Sequence, residues 1–199
     1  MLLALGWILW ATLHSFLISP VWLAGVKHSW PGFYPWYRLS YNIFALLTLG
    51  LLLYYKQMLT GPVLLTWPIG LAPLRWAGLI YVFWLAWAGA KVYDLGLVGG
   101  VKQVRLRPEL PEDTHSDPLY THGILQRVRH PWYSAGLVLL WTRTATFDWG
   151  ELVTSIILTL YLLIGAWWEE KKLVAVYGPA YQEYQKIVPM FWPRVISRS

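Results

Sequence analysis

No aspartate or glutamate occurs in the first 93 residues; Asp94 is the first carboxylate of the chain. A water-exposed fold of that length is hard to build without an acid, since soluble domains devote about a quarter of their residues to charge. Here 13% of residues are charged and 57% are hydrophobic. Long apolar runs fill the acid-free stretch, and runs of about 20 apolar residues suit the core of a bilayer. The chain is therefore read as all-α: a polytopic membrane helix bundle forming one integral membrane domain over 1–199. A soluble Rossmann enzyme, a secreted disulfide scaffold and a DNA-binding module are excluded on the same grounds. The chain has no cysteine, which also removes a thiolate metal site and a cysteine nucleophile.

The net charge of +6 does not point to nucleic acid. Lys and Arg sit between the apolar runs, where they set membrane topology. About five transmembrane helices are expected, near 2–24, 39–55, 73–92, 131–147 and 152–168. The first lacks the basic start of a secretory signal, so it is expected to remain in the mature protein. The last two are short, with aromatic residues available to seat their ends at the interface. Five spans place thirteen of the 16 basic residues on one side. That bias predicts an N-terminus outside and a C-terminus in the cytoplasm. The expected organisation is three N-terminal spans over 1–92, a cytoplasmic loop over 93–130, a helical hairpin over 131–168 and a cytoplasmic amphipathic tail over 169–199. Within the loop, Arg107–Pro118 is rich in turn formers and reads as a surface segment.

Spans four and five form an antiparallel hairpin joined near Phe147–Gly150. Its open end brings Arg127-Val128-Arg129-His130-Pro131-Trp132-Tyr133 beside Trp167-Trp168-Glu169-Glu170-Lys171-Lys172. Convergent polar groups walled by aromatics are what a ligand pocket requires. Pro131 suits the first position of a helix, whose free N–H groups favour an anion. Arg129 offers a forked donor for a carboxylate, and Glu169 or Glu170 can accept from hydroxyl or ammonium groups. The plainer alternative makes the arginines topology signals and Glu169–Lys172 a surface pair three residues apart. In the tail, Leu173, Tyr177, Tyr181, Tyr184 and Val188 form an aromatic-apolar stripe. Gly178-Pro179 is expected to end one helix and begin another. The stripe reads either as a helix lying on the membrane or as a lid over the pocket. His14, with Ser15, stands inside the first span, where an ionisable group is costly. None of the five histidines falls in a two-histidine zinc motif.

The stretch Thr121–Gly136, with Arg129-His130-Pro131-Trp132-Tyr133 at its centre, resembles the core motif of the isoprenylcysteine carboxyl methyltransferase superfamily. Glu169-Glu170, Leu173, Tyr177-Gly178, Tyr181, Tyr184, Val188-Pro189 and Pro193 follow in the family's order, so the likeness covers about 121–193. Phospholipid methyltransferases share this C-terminal plan. Tyr93-Asp94-Leu95, Gly99–Gln103 and His14-Ser15 resemble the branch of small bacterial relatives that includes membrane thiol methyltransferases. The resemblance implies a membrane methyltransferase using S-adenosylmethionine, placed in a bacterial inner membrane. It implies a cofactor site made of His122, Gly123, Ile124, Leu125, Arg129, His130, Pro131, Tyr133, Glu169 and Glu170, with Arg129 and His130 also catalytic and no metal. Leu125 departs from the tyrosine usual in the family. The acceptor is expected to be a small or lipophilic thiol, carboxylate or amine. Two other readings are an NADPH-dependent membrane reductase of sterol or steroid type, and a haem-binding isomerase of carotenoid type with His14 as the deep ligand.

Overall fold

The computed structural model describes residues 1–59, 61–106 and 119–193. The expected surface segment 107–118 and the last residues of the tail lie outside them. The described chain is mostly helical. Its only strands among the described residues are two-residue pieces, β1 (Leu65–Thr66) and β2 (Thr146–Phe147), paired antiparallel. The chain divides into two compact units.

The first unit comprises 1–63, 94–112 and 148–157. It opens with α1 (Leu2–Leu17) and α2 (Pro20–Ser29), which are bent by 58° at the break between them. The single expected span over 2–24 is thus interrupted. Pro20 has no N–H to continue α1, and the residue before a proline is driven to extended backbone. Ser19 takes that conformation and caps α2, its hydroxyl accepting from Trp22 N. Next comes α3 (Tyr34–Met58), 25 residues long and packed against α1. Between them the Trp10 indole donates to Thr48 at 3.0 Å, and His14 bonds the Tyr41 hydroxyl at 2.8 Å. His14, costly when alone in lipid, is thereby satisfied. The short helices α5 (Leu95–Gly99) and α6 (Val101–Leu106) follow. They meet at Gly100, where φ is +88° and a Cβ would lie 2.5 Å from Leu39 N. Only glycine fits both demands. Trp7, fully buried, donates to Thr154 at 2.9 Å.

The second unit comprises 64–93, 113–147 and 158–199. It is built on α4 (Ala72–Ala90) and α7 (Pro131–Thr142), which pack closely. The contact is tight enough that a Cβ on Gly89 would meet Trp132 Nε1 at 2.4 Å. The core here contains Val82, Leu85, Ile124, Leu125, Val128 and Ala135. The helix α8 runs over Trp149–Tyr177 and α9 over Pro179–Ile187. Residues of α7 and the later part of α8 meet in antiparallel order: a Cβ on Gly136 would touch Leu162, Gly165 faces Tyr133, and Trp141 donates to Thr159 at 3.0 Å.

Among the described residues, three helices are long and apolar enough to cross a membrane: Tyr34–Met58, Ile69–Ala90 and Trp149–Tyr177; the bent α1–α2 pair would make a fourth. The protein is an integral membrane protein. Of the five expected spans, the first corresponds to the bent α1–α2 pair and the fourth to α7, which holds only 12 residues. At 1.5 Å per residue that is about 18 Å, well under a hydrocarbon core of about 30 Å. Beyond α7 the chain turns into the β1–β2 pairing, flanked by Leu64 N to Phe147 O and Trp67 N to Ala145 O.

Candidate functional site

Three local rules bring the site residues together. Pro131 occupies the first turn of α7, as its missing N–H allows, so His130 stands at the helix entrance. Glu169 and Glu170 are neighbours on α8. Gly178, at φ +57° and ψ −133°, then breaks the helix, and Pro179 starts α9. That break folds α9 back toward Glu170. The segment after it is tied down along its backbone: Arg129 N donates to Pro189 O and His130 N to Met190 O. The Ser134 hydroxyl adds a 2.7 Å bond to Phe191 O.

Glu170 is the centre of the cluster. Its Oε1 accepts from Arg129 Nε at 2.9 Å, from His130 Nε2 at 2.6 Å and from the Tyr181 hydroxyl at 2.7 Å. Its Oε2 accepts from Arg129 Nη2 at 2.7 Å and from the Gln185 amide. A carboxylate offers about four lone-pair sites, and five donors fill them. The Arg129–Glu170 pair is bidentate and buried, at 8% and 9% side-chain exposure. The remaining Arg129 nitrogen donates to the carbonyls of Gln185 and Val188. Because Glu170 is an acceptor throughout, the ring nitrogen facing it carries the hydrogen, so His130 donates from Nε2.

Glu169 is different. Its side chain is 44% exposed, and Oε2 lies 3.9 Å from His130 Nδ1. Burial, with the Glu169 charge close by, holds the Tyr133 and Tyr93 phenols well above their ordinary range. The Tyr93 and Trp132 rings pack at 4.6 Å between centroids. A half-exposed carboxylate thus sits among Tyr93, Tyr133 and His130. On the other flank, Trp167, Lys171, Val174 and Met190 join Glu170 and Gln185 around an open groove.

The sequence-derived residues divide into two groups. Arg129, His130, Tyr133, Glu169 and Glu170 are brought together. The 122–125 turn is placed differently. His122 precedes a 3-10 turn over Gly123–Gln126, and its ring meets Tyr120 edge-on. Gly123 has φ +61°. Ile124 and Leu125 bury their side chains in the core against Val128 and Ala135. Leu125 reaches the cluster through its carbonyl, which accepts from the Tyr184 hydroxyl. Tyr181 and Gln185 are contributors that the sequence reading did not place in the site. The stripe of tail tyrosines was the available signal for Tyr181; Gln185 gave none. Among the described residues no group of histidines and acids is arranged to hold a metal.

A helical membrane protein with an ionised, aromatic-walled cluster is the class these features define, and its relatives narrow it. A methanethiol S-methyltransferase from a Pseudomonas species is 35% identical over 165 residues, 79% of this chain and 60% of that protein. Methanethiol S-methyltransferase 2 of Bradyrhizobium diazoefficiens is 30% identical over 196 residues, 96% of this chain and 71% of that one. The methanethiol S-methyltransferase of Mycobacterium tuberculosis is 30% identical over 175 residues, 85% of this chain and 69% of that one. The chain belongs to the methanethiol S-methyltransferase family. It spans 60% of the length of the Pseudomonas relative. No protein-family profile matches the chain, and no solved structure does.

Proposed function

We propose that this protein is an S-adenosylmethionine-dependent membrane methyltransferase acting on a small thiol, methanethiol being the acceptor its relatives' names suggest. The observation that carries the reading is the pairing of His130 with both acids. Glu170 holds Nε2–H, so Nδ1 is turned toward Glu169 and the more open side. A neutral imidazole held in that tautomer has one lone pair to offer, at Nδ1.

The donor set fits the cofactor. S-adenosylmethionine supplies a methyl group on a cationic sulfur. Glu169, half exposed and flanked by Tyr93 and Tyr133, suits a cation: carboxylates and aromatic faces both attract positive charge. The segment from His122 to Tyr133, with Glu169 and Glu170, forms the cofactor site in this reading. Arg129 and Glu170 are spent on each other, so their part is to brace the site. Tyr133 and Glu169 face the ligand.

His130 Nδ1 takes the thiol proton, leaving a thiolate. Bound S-adenosylmethionine would supply its methyl group to that thiolate sulfur, with the electron pair of the broken carbon–sulfonium bond left on the donor sulfur. The products are a methyl thioether, a neutral donor thioether and a protonated imidazole, so charge and atoms balance. A free thiol with a pKa of about 8.5 is mostly protonated at neutral pH, which gives the base its task. The site stands on the cytoplasmic side in this reading, with the N-terminus outside, in a bacterial inner membrane.

The test is calorimetric binding of S-adenosylmethionine and S-adenosylhomocysteine to protein in detergent, followed by methanethiol methylation. Saturable binding and dimethyl sulfide formation, with turnover lost in His130→Ala, are expected. Folded protein that binds neither cofactor form refutes the reading.

A further inference from the structure

We propose that Tyr181 and Gln185 are positioning residues that set how strongly Glu170 holds His130, and so tune the basicity of its Nδ1. The proposal rests on the reading of His130 as the proton acceptor. Its geometry stands apart from that reading.

Tyr181 is 2% exposed and gives its hydroxyl hydrogen to Oε1 of Glu170 at 2.7 Å. That is the same oxygen that receives His130 Nε2–H at 2.6 Å. Donors sharing one oxygen compete for its electron density. Each lowers the oxygen's basicity toward the others, and charge-assisted bonds are the strong ones in such a set. Gln185 acts from Oε2, one atom further from the ring. Tyr181 and Gln185 both come from α9, whereas His130 and Arg129 come from the entrance of α7. The tail therefore supplies two donors that the α7–α8 hairpin alone lacks.

The direction of the effect follows. A carboxylate that grips Nε2–H more strongly stabilises the imidazolium and makes Nδ1 a stronger base that is more often already protonated. Tyr181 and Gln185 weaken that grip and keep the ring available as a neutral acceptor. Every group facing the ring enters this balance. Glu170 and Glu169 approach from α8, at 2.6 and 3.9 Å. The Tyr133 and Phe191 rings lie 5.4 and 6.3 Å away between centroids. Arg129 acts through the shared carboxylate. Tyr181 and Gln185, which reach the ring only through Glu170, can lose their donor without emptying a position: phenylalanine and methionine fill similar volumes.

The experiment compares Tyr181→Phe, Gln185→Met and unaltered protein in detergent. Its first readout is the nitrogen resonances of isotopically labelled His130 across pH; its second is the acid limb of the methanethiol rate profile. Tyr181→Phe is expected to move the protonation of the ring, and with it the acid limb, to higher pH by roughly one unit, a tenfold loss of neutral ring at a fixed pH on that limb. Gln185→Met moves both in the same direction by less. A purely structural role lowers yield or activity without moving the limb. Unmoved resonances in both folded variants overturn the proposal; if Tyr181→Phe fails to fold, Gln185→Met decides. The resonances need no turnover. A wild-type protein that binds no cofactor therefore refutes the methyltransferase reading while this proposal is still judged on its own.

Discussion

Replacing Glu170 with alanine removes the acceptor that five donors share. Arg129 then keeps a buried guanidinium with only the Gln185 and Val188 carbonyls as partners. Breaking a buried ion pair from one side costs about 3–5 kcal/mol, because the remaining charge is left uncompensated. The orphaned hydroxyl, amide and imidazole would each add about 1–3 kcal/mol if nothing replaced the carboxylate. Water entering from the open groove beside Gln185 relieves much of that, so the ion-pair figure is the working estimate. For a chain of this size, about 2–4 °C of melting temperature accompanies each kcal/mol, which puts the loss at roughly 6–20 °C. The control is Glu169→Ala. Its carboxylate is 44% exposed, and its loss should cost at most about 1 kcal/mol. The assay is thermal unfolding in detergent, followed by tryptophan fluorescence, without cofactor. Equal destabilisation by the two substitutions, or an unchanged melting temperature in Glu170→Ala, would refute the view that Glu170 braces the fold while Glu169 faces the ligand.

Gly178→Ala places a side chain at φ +57° and ψ −133°. Strain of about 1–3 kcal/mol should loosen α9, and limited proteolysis near 178–187 should quicken. Gly89→Ala drives a methyl into the Trp132 indole, whose Nε1–H donates to Ala86 O at 3.2 Å; the expected result is loss of that bond and a lower melting temperature, with Gly25→Ala, where nothing lies within 4 Å, as the tolerated comparison. In alkali, the Tyr184 phenol is pushed up to about 12 by burial, with Arg129 partly opposing. The unfolded chain releases that proton near pH 10, so the stability tied to the neutral phenol is intact below about 10 and is lost as pH rises toward 12. A urea series across that range should show the decline, reduced in Tyr184→Phe.

Local rules made parts of this structure legible in the sequence. Pro131 announced a helix start, Gly178-Pro179 a helix break, and antiparallel order brought Arg129-His130 to Glu169-Glu170. What stayed hidden depended on partners distant in the chain. Thr146–Phe147 reads as the continuation of an apolar run, yet it pairs with Leu65–Thr66, more than 75 residues earlier, and α7 stops short. Ser19-Pro20 is a visible break, but hydropathy averages across it. The two adjacent glutamates look alike in sequence. Only the return of α9, bringing Tyr181 and Gln185, makes one a filled anchor and leaves the other open.

The tail's contribution also has a consequence for how the chain is made. A ribosome delivers Arg129 and His130 well before Tyr181, Gln185 and Pro189–Met190. Until those arrive, Glu170 is short of two donors, and the N–H groups of Arg129 and His130 lack their carbonyls. Insertion of the helices and completion of the site are thus separate events in time. A nascent chain can be fully embedded in the membrane and still hold its Glu170 cluster half wired, waiting on the last stretch of synthesis.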